Sequence, residues 1–198
     1  MSVMMRATIL AALVVAAITP AGASAGEPES EQLLRESRAM VKEFGKRLKG
    51  ELMQGIEAGG APGAIHVCSD IAPSIASELS REHGARVGRT SLKLRNPVNA
   101  PTPWQTRTLQ RWEREVEDGA AVAELEYQRA TKRSGTRFRY MKAIPMGGLC
   151  LSCHGKSLAP EVDKALDEQY PHDRARGYSA GELRGAFTVV WPEMPDEE

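Results

Sequence analysis

Cys150-Leu151-Ser152-Cys153-His154 concentrates more chemistry than any other stretch of this chain. It reads C-x-x-C-H. Two thiols at that spacing sit on one short turn, close enough to add across the two vinyl groups of a single porphyrin. The histidine that follows then lies under the macrocycle and can give an imidazole nitrogen to the iron. The spacing predicts a c-type haem, one per chain, covalently attached through Cys150 and Cys153 with His154 as an axial iron ligand. A zinc site would need further ligands, and neither a second C-x-x-C nor an H-x-x-x-H is present. A dithiol redox motif would open a helix in a βαβ unit. Here the motif follows Pro145-Met146-Gly147-Gly148, a lead that predicts a loop.

The N-terminus predicts where such a protein works. Arg6 is the only charge before Glu27, and residues 7–18 form an apolar run with Thr8 its only polar member. Pro20 and Gly22 break the run, and Ala23-Ser24-Ala25 is a small-x-small cleavage site. This pattern predicts a Sec-type signal peptide over residues 1–25, leaving a mature chain of 26–198 in the periplasm. Covalent haem attachment takes place on that same side of the bacterial inner membrane. No later apolar run is long enough to cross a bilayer, so no transmembrane segment is expected after cleavage. The whole chain carries 26 Lys and Arg against 26 Asp and Glu. The leader holds Arg6 and no acid, so the mature balance is one unit negative, with no basic field for nucleic acid.

Three cysteines is an odd number for an exported protein. With two bound to haem, Cys68 is left over. It has three readings: a buried inert thiol, a disulfide to an outside partner, or the second axial ligand of the iron. The last is favoured by a place at the start of a predicted helix, where the macrodipole stabilises a thiolate.

These side chains need a scaffold. Leu33, Ser37, Met40, Val41, Phe44, Leu48, Leu52 and Ile56 recur at helical spacing and predict one long helix from Glu29 to Ile56, capped by Ser30 and ended by Gly59-Gly60. It is either a core helix or a projecting one that forms a homodimer. A second helix is expected over Cys68–Arg81, capped by Ser69 or Asp70, and a strand over Arg86–Leu94. Thr102-Pro103 opens a third helix through Trp104, Leu109, Trp112 and Val116. Alternation predicts strands over 121–127 and 137–144, the second with Phe138 and Tyr140 on one side and Arg137, Arg139 and Met141 on the other. A basic turn, 131–135, joins them. A short helix over Pro160–Gln169, a last strand over 186–191 and an acidic tail complete the pass. The order is an α+β pattern with one antiparallel sheet flanked by helices in a single domain, unlike a small all-helical cytochrome c with its motif near the N-terminus.

Four segments give the chain a family likeness. They are Ala64-Ile65-His66-Val67-Cys68-Ser69-Asp70-Ile71-Ala72-Pro73, Arg89-Thr90-Ser91-Leu92-Lys93-Leu94-Arg95-Asn96-Pro97-Val98-Asn99-Ala100-Pro101, Cys150–Gly155, and Gly181-Glu182-Leu183-Arg184-Gly185-Ala186. Together they resemble a family of exported bacterial single-haem c proteins, long filed as a domain of unknown function. The resemblance spans the mature chain. It implies a PAS-like fold, which that family uses both alone and as a sensor module. It also implies iron held by the motif histidine and by a cysteine whose place matches Cys68.

Other residues compete for these roles. His66, His83 and His172 could bind iron, as could Met141 and Met146, though strand and loop methionines more often pack. Ile65, Val67, Ile71, Met146 and Leu149 are candidate haem walls, and Arg89, Lys93 and Arg95 a basic edge for the propionates. No Ser-His-Asp set, phosphate loop or EF-hand is present, and no distal acid–base pair can be placed, so an enzyme ranks last. The expectation is a periplasmic haem protein that senses redox state or a small ligand and signals through a protein partner. A soluble electron-transfer cytochrome is the alternative.

Overall fold

A computed structural model of the chain describes residues 28–131 and 135–193. The expected signal peptide, most of the acidic tail and most of the basic turn lie outside the described residues. The long helix is α1, Glu29–Gly63. Its glycine pair acts as expected: Gly59 and Gly60 are non-helical, Gly60 with φ 66°, and they kink the helix one turn before its end. The cap differs. Pro28 holds the N-cap position with no side-chain bond, and Ser30 already lies inside the helix.

Four strands, β1 (Arg86–Thr90), β2 (Glu126–Ala130), β3 (Thr136–Pro145) and β4 (Leu183–Pro192), form one antiparallel sheet in the order β1-β4-β3-β2. Helices cover both of its faces. On one, Leu33, Met40 and Val41 of α1 meet Phe138, Tyr140, Val189 and Trp191. On the other, Leu109 and Trp112 of α3 (Pro103–Glu117) meet Met141, Ala143 and Ala186. Period-two geometry puts Phe138 and Tyr140 on the α1 face and Met141 and Ala143 on the α3 face. The sequence reading set Met141 opposite Phe138 and Tyr140, and the structure agrees; Met141 is fully buried. The arginine beside it is accounted for too, with the Arg139 guanidinium 5.2 Å from the centroid of the Trp104 ring.

The apolar stripe of α1 is therefore core over its first half. Its one buried polar residue is satisfied: Ser37 donates to the Leu33 carbonyl at 2.7 Å and accepts from Trp191 Nε1 at 2.9 Å. Beyond Phe44, which packs on Ile75 and Leu79 of α2 (Ala72–His83), the stripe turns toward the haem motif. The remaining helices are α4 (Leu151–His154), which carries the motif, and α5 (Pro160–Gln169), whose Val162 and Leu166 pack on Ile65.

Three further expectations shift. The second helix has no Ser69 or Asp70 cap, because the chain is already helical there: Val67–Ile71 is a π-helical turn running straight into α2. The strand expected over Arg86–Leu94 stops at Thr90. Beyond it the chain leaves the sheet, and Ser91 Oγ donates to the Arg184 carbonyl at 2.8 Å. The strand expected over 121–127 begins with a 3-10 turn, Val122–Glu124, that buries Val122; β2 starts only at Glu126. A close approach fixes the corner where β1 ends. A Cβ on Gly185, whose φ is 154°, would lie 2.3 Å from the Thr90 carbonyl oxygen, so only glycine lets β4 pass there. No described helix is long and apolar enough to cross a membrane.

Candidate functional site

The cleft at that corner gathers segments distant in sequence. Leu48, Leu52 and Ile56 of α1 form one wall, and Ile65 and Cys68 follow from the connection to α2. Arg89 of β1 and Leu94 and Arg95 of the loop after it form another. Leu149, Cys150, Cys153 and His154 close the third side, with Tyr170 and Arg184. The cleft is partly open to solvent. All four residues singled out for haem chemistry, Cys68, Cys150, Cys153 and His154, line this one cleft. The three cysteines are half-buried and free of disulfides.

His154 is held by its far nitrogen. Nδ1 lies 2.6 Å from the Ala175 carbonyl, a partner that can only accept, so Nδ1 carries the proton and Nε2 keeps its lone pair. Burial, aided by the Arg184 and Arg95 guanidiniums, pushes the imidazole pKa down to about 3, so the ring is neutral at ordinary pH. The His154 carbonyl accepts from the Tyr178 amide at 3.0 Å, and the Tyr178 ring stands edge-on to the imidazole. Gly155 is required next to it, since a Cβ there would lie 2.5 Å from the Leu151 carbonyl oxygen.

Behind His154 lies a network the sequence did not reveal. Arg95 Nη2 donates to the Cys153 carbonyl at 2.5 Å and to Asp173 Oδ2 at 3.0 Å, and Nη1 lies 3.4 Å from His154 Nε2. Asp173 also accepts from the Ala175 amide at 2.8 Å and from Arg176 Nε at 2.9 Å. Arg176 in turn pairs with Asp163 and Asp167 of α5. Both partners of the Arg95–Asp173 pair are buried, with 5% and 1% side-chain exposure. Burial alone would raise the Asp173 carboxyl; the bonds from Arg95, Ala175 and Arg176 outweigh it and hold it below the ordinary value. Asp173→Asn leaves Arg95 buried without its counter-charge and is expected to cost about 3 kcal/mol of stability. Because the Asp173 pKa is depressed on folding, its contribution is complete above the unfolded value of about 4 and is lost as pH falls through the folded one. Urea unfolding at neutral pH and below pH 3 measures this: the gap between wild type and D173N closes in acid.

The competitors fall elsewhere. His66 is exposed, does not line the cleft, and has Nδ1 2.5 Å from the Gly63 carbonyl. His83 and His172 are exposed and outside the cleft. Met141 packs under α3, and Met146 is buried against Ala175 and Tyr178 below the motif. Of the expected walls, Ile65 and Leu149 line the cleft; Val67, Ile71 and Met146 do not. Of the expected basic edge, Arg89 and Arg95 line it, whereas Lys93 sits with Nζ 4.8 Å from the Tyr178 ring centroid.

The donor set suits a haem better than a bare ion. Among the described residues no three His, Cys, Asp or Glu side chains converge as a metal cage. A porphyrin brings four nitrogens of its own and asks the protein for two axial ligands, and Cys68 and His154 come from different segments of the cleft. The apolar lining and the arginines match the ring and its carboxylates.

No curated protein matches the chain. A solved structure, that of the cyanobacterial heme-protein Tll0287, superposes with a TM-score of 0.64 over 84% of this chain and 98% of that one. At 22% identity, this likeness is one of fold. The sequence itself matches the Tll0287-like family over residues 21–192, nearly the whole length, and the chain belongs to that family.

Proposed function

We propose that this chain is an exported, periplasmic c-type haem protein that senses redox state or a small ligand and passes the signal to a protein partner. The observation that carries the reading is the meeting of Cys68 with Cys150, Cys153 and His154 in one arginine-lined cleft. The solved relative is itself a heme-protein. A bound haem supplies one-electron chemistry and an iron that can take an outside ligand. The chain's residues do the rest. Cys150 and Cys153 tether the ring by thioether bonds. His154 would offer Nε2 to the iron, its tautomer set by the Ala175 carbonyl. Cys68 would offer its sulfur as a second ligand. Leu48, Leu52, Ile56 and Ile65 keep water from the ring.

Sensing is supported by the PAS-like resemblance and by the mounting of Cys68. It lies on a π-helical turn, a local departure from α-geometry that recurs at functional sites. Electron transfer is favoured by a different observation: Leu149 beside the motif and Val98 on the loop that borders the cleft are exposed, at 38% and 81%, leaving an apolar edge for a redox protein to meet. Neither reading calls for catalysis. An optical redox titration with and without carbon monoxide separates them. Sensing predicts a ferrous form whose spectrum shifts on adding carbon monoxide; an unaltered, fully reversible couple would leave electron transfer.

A further inference from the structure

The cleft lining contains three arginines and no aspartate or glutamate. Arg95 is neutralised by Asp173 from behind. Arg89 and Arg184 have no carboxylate partner among the described residues. Arg184 Nη1 donates only to neutral oxygens, Ser91 Oγ at 2.8 Å and the Lys93 carbonyl at 3.2 Å. Arg89 lies over the Phe44 ring, 5.7 Å from its centroid. Burial lowers the pKa of both, and Arg89 adds to the depression of Arg184, so the two charges bear on each other. The Tyr170 hydroxyl on the same cleft is also unmet: the residue is 7% exposed and Oη has no hydrogen-bond partner. Partly buried cations and a buried donor without acceptors are costly unless an anion joins them.

We propose that Arg89 and Arg184 form the subsite for the two propionate carboxylates of the haem, with the Tyr170 hydroxyl as a neutral donor beside them. This rests on the haem reading above and deepens it. The charges match. A ferric porphyrin core carries one formal positive charge, which the Cys68 thiolate balances. The two propionates add two negative charges, which Arg89 and Arg184 meet one for one. Arginine suits the role because its planar fork pairs with a carboxylate through two bonds. Arg95, committed to Asp173 and the Cys153 carbonyl, is a positioning residue for the motif.

The test uses haem-loaded protein bearing Arg89→Gln, Arg184→Gln, both together, and the corresponding lysine substitutions. Covalent haem is verified by stain on a denaturing gel. The midpoint potential should fall in each glutamine variant, most in the double, since a lost positive charge favours the oxidised iron. It should recover in the lysine variants. The propionate bending modes in the resonance Raman spectrum should shift in the glutamine variants, while the low-spin EPR signal of the iron stays unchanged. Unaltered propionate modes in both single variants would overturn the assignment. So would a fall in potential no larger than that of Arg139→Gln, which lies outside the cleft. Failure of the haem reading looks different: the unsubstituted protein would carry no covalent haem.

Discussion

With Cys150 and Cys153 both replaced by alanine, protein made alongside the c-type maturation machinery should show no haem stain on a denaturing gel. Its melting temperature should fall by about 10 °C or its yield collapse. The first effect follows from the motif, because no other pair of thiols in the chain stands at that spacing. The second follows from the cleft. Leu52, Ile56 and Leu94 line its space, and Leu48 and Ile65 reach it from the clusters they pack in, so a tethered ring completes a core that is otherwise open. A ligand bound only by the folded state stabilises it by about 4 kcal/mol when present at a thousand times its dissociation constant, and a tether exceeds that local concentration. For a domain of this size, each kcal/mol is worth about 2–4 °C. A pyridine haemochrome assay of the unsubstituted protein should give one haem per chain. Two haems, or haem lost on denaturation, would contradict covalent attachment at this single motif. A melting curve unchanged by the double substitution would place the ring at the periphery.

The motif stands out in the sequence because the chemistry it predicts is local: five consecutive residues carry the whole pattern. The elements with strong periodicity were legible for the same reason, including α1, α3 with its Thr102–Gln105 capping box, and β4. What escaped depends on long-range contact. Arg95 and His154 are 59 residues apart, and Arg95 and Asp173 are 78 apart. Nothing around Asp173 or Ala175 announces that they will hold the motif histidine. Arg184 reaches the cleft only because Gly185 lets β4 pass against Thr90, a demand visible in the backbone and invisible in composition. Tyr170 did leave a trace, since Val162, Leu166 and Tyr170 continue one helical stripe, but periodicity marks burial and not the unmet hydroxyl. Leu48, Leu52 and Ile56 were read as part of a uniform core stripe. Their departure into the cleft reflects where the sheet ends, and the chain alone does not mark that point. Met141 shares its face with Arg139 yet is fully buried, because helices cover both faces of the sheet.

Substitution of Cys68 by alanine is expected to remove the low-spin thiolate signal from the ferric EPR spectrum and to raise the midpoint potential, with haem stain retained. Three observations converge on it. Cys68 is the one cysteine left once Cys150 and Cys153 bind the ring. It lines the same cleft as His154. It also bears electrostatically on Arg89 and Cys153, both of which line that cleft. The helix N-terminus expected at Cys68 is absent, since the chain is already helical at His66. A thiolate donates charge to ferric iron and holds the potential below that of a His/Met pair, so its loss shifts the couple upward. Retained stain shows that the fold and tether survive, which separates ligand loss from unfolding. His66→Ala is the matched control: its ring is turned to the Gly63 carbonyl outside the cleft, and the signal should persist. A thiolate signal that survives Cys68→Ala would exclude this ligand. Its loss in His66→Ala alone would transfer the role, or the support of the turn that carries it, to the histidine. If the prediction holds, reduction of the iron weakens its need for the thiolate's charge. The π-turn between α1 and α2 then becomes the element through which a change in ligation reaches the two helices packed beside it.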